Sequence, residues 1–320
     1  MRRFLAARFA HAAIVIVIVT TIAFLLLRLA PGEPFGYEDG SMSPALQARW
    51  RAAFGYDRPL HEQFIRYVGN VARGDFGYST IQRRPVRDAV ADALPRTLTL
   101  AVFGIALAAI IGTAVGVVAA TKPRSMRDRV ISTLSVVVYS IPDFWLALII
   151  QLGLGFGLGL FPISGMADPM IADYGSPAQV FADRARHLVM PVLTLTMLIA
   201  VILARFQRAA LIDVMPSDFL RTVRAKGATE GTVVRHALRN SLMPTITMLG
   251  LLVPSVLGGI YFVEYVFNWP GLGLLTVTAV QNLDYDVATA SVIISGVLVA
   301  AGSLAADILA AVADPRIRDA

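Results

Sequence analysis

The sequence predicts an all-α membrane protein with six transmembrane helices, and three observations predict it. Hydrophobic residues make up 56% of the chain against 16% charged, and the mean hydropathy is +0.66, too apolar for a soluble domain of 320 residues. Six apolar runs, at about 9–30, 97–120, 130–157, 188–210, 243–265 and 287–311, have the length that crossing a bilayer requires, about 20 residues for roughly 30 Å of hydrocarbon. Continuous apolar runs of that length must be helices, because backbone groups left unpaired in lipid are too costly. The third observation is the uneven distribution of Arg and Lys among the connecting loops, which orients the spans.

The first run follows Met1-Arg2-Arg3, an opening shared with signal peptides. Its apolar stretch from Ala12 to Leu27 is long for a signal-peptide core, and further spans follow, so an uncleaved first span is expected. Arg28, near its outer end, is expected to snorkel to the headgroups. Residues 31–96 then carry nine Arg and eight acids and read as a small external helical segment. A helix should open at Ser43-Pro44, place Leu46, Trp50 and Phe54 four apart, and stop at Gly55. A second should run from Pro59 to Arg73, with Phe64, Tyr67, Val68 and Val71 on one face and Gly74 ending it. A third, Val86–Leu94, leads into the second span. Pro142, Pro191 and Pro254 fall inside later spans and should kink or locally unwind them.

Orientation follows from the short loops. Thr121–Arg129 holds Lys122, Arg124, Arg127 and Arg129 against one acid, Asp128, whereas Phe267–Asp286 has no basic residue and two acids. The first is therefore expected in the cytoplasm and the second outside, which places both termini inside. The expected organisation is an N-terminal tail and first span at 1–30, the external segment at 31–96, a core of five spans at 97–311, and a cytoplasmic tail at 312–320. The net charge of +6 is that of cytoplasmic membrane loops and implies no nucleic-acid partner.

Between the fourth and fifth spans lies a basic loop, 211–242, far longer than a connection needs. Seven Arg or Lys fall between Arg205 and Leu242, interrupted by Gly227 and Gly231. Ser217 can cap a helix with Phe219, Leu220 and Val223 as apolar positions, and Gly227 stands where that helix should end. Thr229 can cap a second helix, with Val233, Val234, Ala237 and Leu238 on one side and Arg235 and Arg239 on the other. Two short amphipathic helices around a Gly turn would form a rigid knob.

The run Arg224-Ala225-Lys226-Gly227, followed by Arg235-His236-Ala237-Leu238-Arg239-Asn240, resembles the cytoplasmic coupling loop of ABC-importer permeases, in the form found in the oligopeptide/dipeptide/nickel branch. Similar segments occur in matching order along nearly the whole chain. They are Phe24–Pro31, Gly74-Asp75-Phe76-Gly77-Tyr78-Ser79, Ser140-Ile141-Pro142-Asp143-Phe144-Trp145, Glu264–Gly273 and Asp314-Pro315-Arg316-Ile317-Arg318. One departure is Arg221-Thr222-Val223, where the general loop pattern has Glu-Ala-Ala.

The resemblance implies a type I ABC-importer permease fold and a non-catalytic pore subunit in the plasma (inner) membrane. Its implied partners are a second homologous permease, two cytoplasmic ABC ATPase subunits that hold ATP and Mg2+, and an extracytoplasmic solute-binding protein. The implied cargo is a di- or oligopeptide, with nickel chelates and short oligosaccharides as cargo of the same branch. On the same resemblance Arg221, Arg224, Ala225, Lys226, Gly227, Arg235 and His236 are the residues expected to couple to the ATPase.

The residues themselves support that reading by what they lack. No P-loop pattern occurs, so ATP is not expected on this chain. Neither H-E-x-x-H nor G-x-S-x-G is present, which disfavours those membrane hydrolases. The chain has no Cys, and its four His have no ligand spacing, so no metal site is expected. Asp143, Glu264 and Asp307 lie within or at the edge of spans, where a carboxylate is costly, and with Pro142 they are the candidates for pathway or gating. Each acid reads first as a structurally paired group and second as a cargo contact. An ion-coupled secondary transporter is the alternative, but it would cluster such acids mid-span in symmetric halves, and these are dispersed.

Overall fold

The structure, a computed structural model, describes residues 2–29, 45, 49, 52, 55, 57–79 and 81–313. The expected helix from Ser43 to Phe54, apart from positions 45, 49 and 52, and the Asp314–Arg318 segment lie outside the described residues. Among the described residues five helices are long and apolar enough to span a bilayer: α1 (Arg2–Leu29), α3 (Val86–Ala120), α7 (Pro177–Val214), α9 (Glu230–Val266) and α11 (Tyr285–Ala313). Shorter helices between them are α2 (Leu60–Val71), α6 (Pro169–Tyr174), α8 (Asp218–Ala225) and α10 (Leu272–Gln281).

The third of the six expected spans is not one helix. It breaks into α4 (Met126–Ser140) and α5 (Asp143–Ile150), followed by a π-helical turn, Gln151–Gly157, and the two arms meet at 107°. The cause is Pro142, which has no N–H to donate and pushes the residue before it out of the helical region. Ile141 takes ψ 128° and Pro142 ψ 142°. At Pro191 and Pro254 the chain does not unwind: α7 and α9 continue as helices through both.

Small residues set the contact between α3 and α7. Gly104, Ala108, Gly112, Gly116 and Ala120 recur every fourth position on the buried face of α3. A Cβ added at Gly104 would meet Leu195 Cβ at 2.8 Å, one at Gly112 the Ala200 carbonyl oxygen at 2.8 Å, and one at Gly116 the Gln207 Cβ at 2.8 Å. The paired numbers rise together, so the two helices run parallel at backbone contact distance, the close approach that small residues permit in lipid. Two other pairs are antiparallel: Gly250 faces Ala306 and Gly302 faces Val253 between α9 and α11, and Gly296 faces Val19 while Arg8 pairs with Asp307 between α11 and α1.

The segment before α3 differs from its expected form in three ways. The expected third helix is the first turns of α3, so the helix runs unbroken across positions 96 and 97. A two-residue antiparallel ladder joins β1 (Tyr78–Ser79) to β2 (Arg84–Pro85). On α2, Phe64 and Tyr67 pack on Phe24 of α1, with ring centroids 5.3 and 5.6 Å apart, but Val68 points outward and is exposed. Arg28 does not reach away along the helix; its guanidinium lies 5.4 Å from the Phe24 ring centroid and lines a cavity of about 470 Å³ with Tyr67, Asp75 and Asp286. Burial there pushes the Tyr67 phenol well above its usual range, with the nearby Asp286 charge adding to the shift and Arg28 opposing it.

Candidate functional site: a welded knob and a cleft between helices

At the basic end of the bundle, α8 and the first turns of α9 form the knob. Gly227 ends α8 at φ +79°, in the left-handed region that glycine enters without penalty. Its N–H donates to Arg224 O at 2.9 Å, and the Ala228 N–H donates to Val223 O at 3.4 Å, the paired bonds of a Schellman motif. Thr229 caps α9, its hydroxyl accepting from the Thr232 N–H at 3.4 Å. Ser217 stands at the start of α8 but does not cap it with its side chain; the hydroxyl donates instead to Val214 O at 2.7 Å. The second loop helix is not short either, since it runs on as α9 into the membrane-spanning region.

That continuity matters for mechanics. Leu220, Val233 and Ala237 are fully buried and pack with Leu211 of α7 and Ala120 of α3, so the knob shares one apolar core with three long helices. Its opposite face is exposed: Arg221, Ala225, Lys226, Gly227, Arg235 and His236 all face outward. Arg224 is half-buried and pairs with Glu230 at 3.3 Å, across the Gly227 turn. The Arg221–Asp218 pair at 3.2 Å is exposed on both sides and contributes little.

Beside the knob, Asp128 of α4 is buried and receives both Nε and Nη2 of Arg208 on α7, at 2.5 and 2.8 Å, together with the Arg124 N–H at 2.8 Å. This bidentate pair ties the broken span to α7. Gln207, also fully buried, donates to Ser241 Oγ at 2.8 Å and accepts from Thr245 Oγ1 at 2.7 Å, which ties α7 to α9. Neither tie was expected from sequence. Asp128 was visible only as the one acid in a basic loop, and its partner lies 80 positions away.

The other expected residues separate into two groups. Asp143 and Pro142 sit at the break in the third span, and Asp143 lines a cavity of about 170 Å³ with Tyr139, Ile199, Ser255 and Gly259. A larger cavity of about 720 Å³, reaching Arg205, Phe206 and Met248, shares Tyr139, Ile202 and Leu252 with it, so the two form one cleft between α4, α7 and α9. Glu264 and Asp307 lie elsewhere. Glu264 is fully buried; its carboxylate accepts from Thr97 Oγ1 at 2.6 Å and from the Gly273 and Leu274 N–H groups at 2.6 and 3.2 Å. It thereby folds the turn Asn268-Trp269-Pro270-Gly271 back onto α3, where Trp269 Nε1 donates to Arg96 O at 3.1 Å. Asp307 pairs with Arg8 at 3.2 Å, closing α11 onto α1.

At the end of the bundle opposite the knob, Ser79 Oγ donates to Asp284 Oδ2 at 2.5 Å, anchoring the β-ladder on the turn before α11. Burial pushes the Asp284 carboxyl above the usual carboxylate range, with the Ser79 hydrogen bond opposing the shift.

A bundle of apolar spans carrying a basic knob welded to three of them is the architecture of a multi-pass membrane subunit. Residues 112–319 match the family of binding-protein-dependent transport system inner membrane components, and residues 1–101 match the N-terminal region of such components; the chain belongs to this family. It is 38% identical over 302 residues to the oligopeptide transport system permease protein AppB of Bacillus subtilis (strain 168), covering 93% of this chain and 94% of that one. It is 37% identical over 303 residues to the glutathione transport system permease protein GsiC of Escherichia coli (strain K12), covering 94% of each. It is 35% identical over 319 residues to the di/tripeptide transport system permease protein DppB of Pseudomonas aeruginosa (strain UCBPP-PA14), covering 94% of each. The chain is a multi-pass inner-membrane permease subunit of the ABC-importer type and not the subunit that hydrolyses ATP.

Proposed function

We propose that this chain forms one wall of the pore of an ATP-driven importer of di- and oligopeptides, with both termini and the knob in the cytoplasm. The observation that carries the reading is the weld: Leu220, Val233 and Ala237 join the knob to α3, α7 and α9 in one buried cluster. A partner that grips the exposed face of Arg221, Ala225, Lys226, Gly227, Arg235 and His236 then moves three spans as a body. The partners are two ABC ATPase subunits, which hold ATP and Mg2+, together with a second homologous permease and an extracytoplasmic solute-binding protein. ATP binding draws the ATPases together, the knob carries that motion upward, and the cleft between α4, α7 and α9 opens to the outside. Hydrolysis returns it to face inward.

Peptide cargo is supported by the relatives, which are permeases for oligopeptides, glutathione and di- or tripeptides. Pro142 and Asp143 belong to the pathway, whereas Glu264 and Asp307 position the turn and the last span around it. The external segment 31–96 caps the mouth. The test is reconstitution of the complete transporter in proteoliposomes with labelled trialanine. The complete complex should accumulate trialanine on ATP addition, and this chain alone should show neither ATPase activity nor uptake. Accumulation by the chain alone under a proton or sodium gradient would overturn the reading in favour of an ion-coupled carrier.

A further inference from the structure

The cleft is not uniformly apolar. At one end stands Asp143, exposed in the first turn of α5, its Oδ2 3.8 Å from where a Gly259 Cβ would be. At the other end stands Arg205, its guanidinium 5.9 Å from the Tyr139 ring centroid. Neither has a partner of opposite charge among the described residues, in contrast to Arg208 beside them, which is held by Asp128. Tyr139, Ile202 and Leu252 line the walls where the two cavities meet. Asp143 shares its cavity with Leu195, Leu198, Ile199 and Ile202, so Arg205 lies three to ten residues further along α7. At about 1.5 Å of helix rise per residue, Arg205 stands about 4.5–15 Å along α7 from the residues that line the cavity of Asp143.

We infer that Asp143 holds the N-terminal ammonium of the peptide as it crosses, with the peptide extended along the cleft and its carboxylate toward Arg205. The inference rests on the peptide reading above. A carboxylate inside a membrane-spanning segment must be compensated by water, a protein cation or a ligand cation, and here the side chain faces open space. The pair of opposite charges matches the two ends of a zwitterion. An extended chain advances about 3.3–3.6 Å per residue, so an interval in that range holds a peptide of up to about four residues. The apolar and aromatic walls between the charges offer contact without demanding particular side chains. The break at Ile141-Pro142 is what brings Asp143 to the cleft: Pro142 redirects the chain by 107° and starts α5 with the carboxylate in its first turn.

The experiment is a cycle that crosses a protein change with a peptide change, using the complete transporter in proteoliposomes. Trialanine and N-acetyl-trialanine are each supplied at concentrations that saturate the binding protein. Because the binding protein is a separate chain, its preference cancels when variant and wild type are compared on the same peptide. Losing a charge-assisted contact should lower trialanine uptake by about tenfold in Asp143→Asn, while N-acetyl-trialanine uptake changes by less than about twofold. Asp143→Glu should retain most trialanine uptake. Equal losses for both peptides would overturn the inference, because a residue that only supports the break or pairs with the second permease does not read the peptide terminus. Unchanged uptake of both would overturn it as well. A wild-type complex that accumulates neither peptide but does accumulate a nickel chelate or an oligosaccharide would overturn the peptide reading itself, and this inference with it.

Discussion

At Gly227 the backbone sits at φ +79°, and an added Cβ would meet nothing within 4 Å, so any side chain there costs conformational energy rather than space. For a β-branched residue the cost is about 1–2 kcal/mol, whereas Asn enters the left-handed region more readily. The two Schellman bonds through Gly227 and Ala228 fix the angle at which α8 leaves α9. Gly227→Val is therefore expected to reach the membrane at normal abundance yet lose uptake and co-purification of the ATPase, while Gly227→Asn keeps both. Arg221→Ala should do less, since Arg221 is exposed and its partner among the described residues, Asp218, is more exposed still. Uptake assays and ATPase pull-down on the three variants check this. Wild-type values for Gly227→Val in both assays would remove the coupling role from the turn.

The elements show why some of this architecture is legible in one sequence and some is not. Hydropathy locates the spans because the bilayer imposes their length, and Pro142 marks the break in the third because its chemistry is local. The direction of that break is not local: a 107° bend depends on what α5 packs against after Ile141 leaves the helix. Gly227 and Thr229 likewise announce a turn and a cap, but Ser217 does not act as its type suggests, because the Val214 carbonyl is within reach of its hydroxyl. The Asp128–Arg208 and Gln207–Ser241 ties join residues far apart in sequence, so spacing alone does not show them. The stripe from Gly104 to Ala120 lies between these cases. Its four-residue period is plain in the sequence, but its meaning appears only when α7 is found against it. At Gly112 a side chain would drive into the Ala200 carbonyl and Leu203, so Gly112→Leu must separate two parallel helices. Overpacking of this kind costs about 1–3 kcal/mol or more. Gly112→Leu should lower membrane abundance and the unfolding temperature of the purified complex, and Gly258→Ala, which meets nothing within 4 Å, should change neither.

For the whole molecule, sidedness decides whether the knob faces the compartment that holds ATP. Lys122 and Arg124 precede α4, Arg127 and Arg129 lie in its first turn, and Arg221, Arg224, Lys226, Arg235 and Arg239 surround the knob, all at one end of the bundle. The opposite end, between Phe267 and Asp286, holds Asp284 and Asp286 with no basic residue. Translocating a short loop dense in arginine is unfavourable, so the basic end is expected to stay inside. The Arg-rich segment before α3 does not contradict this, because it carries eight acids and exceeds the loop length over which the rule operates. The absence of Cys gives a clean test on intact cells with an impermeant thiol reagent. Met170 is 69% exposed and Met126 75% exposed, and Asn282 and Lys226 are also exposed, so each tolerates a reporter. Met170→Cys and Asn282→Cys should label from outside, and Met126→Cys and Lys226→Cys should label only after the cells are opened. Labelling of Lys226→Cys from outside would put the knob beyond the reach of ATP, and the transmission of motion from Gly227 through Leu220 into α3, α7 and α9 would have no source of energy.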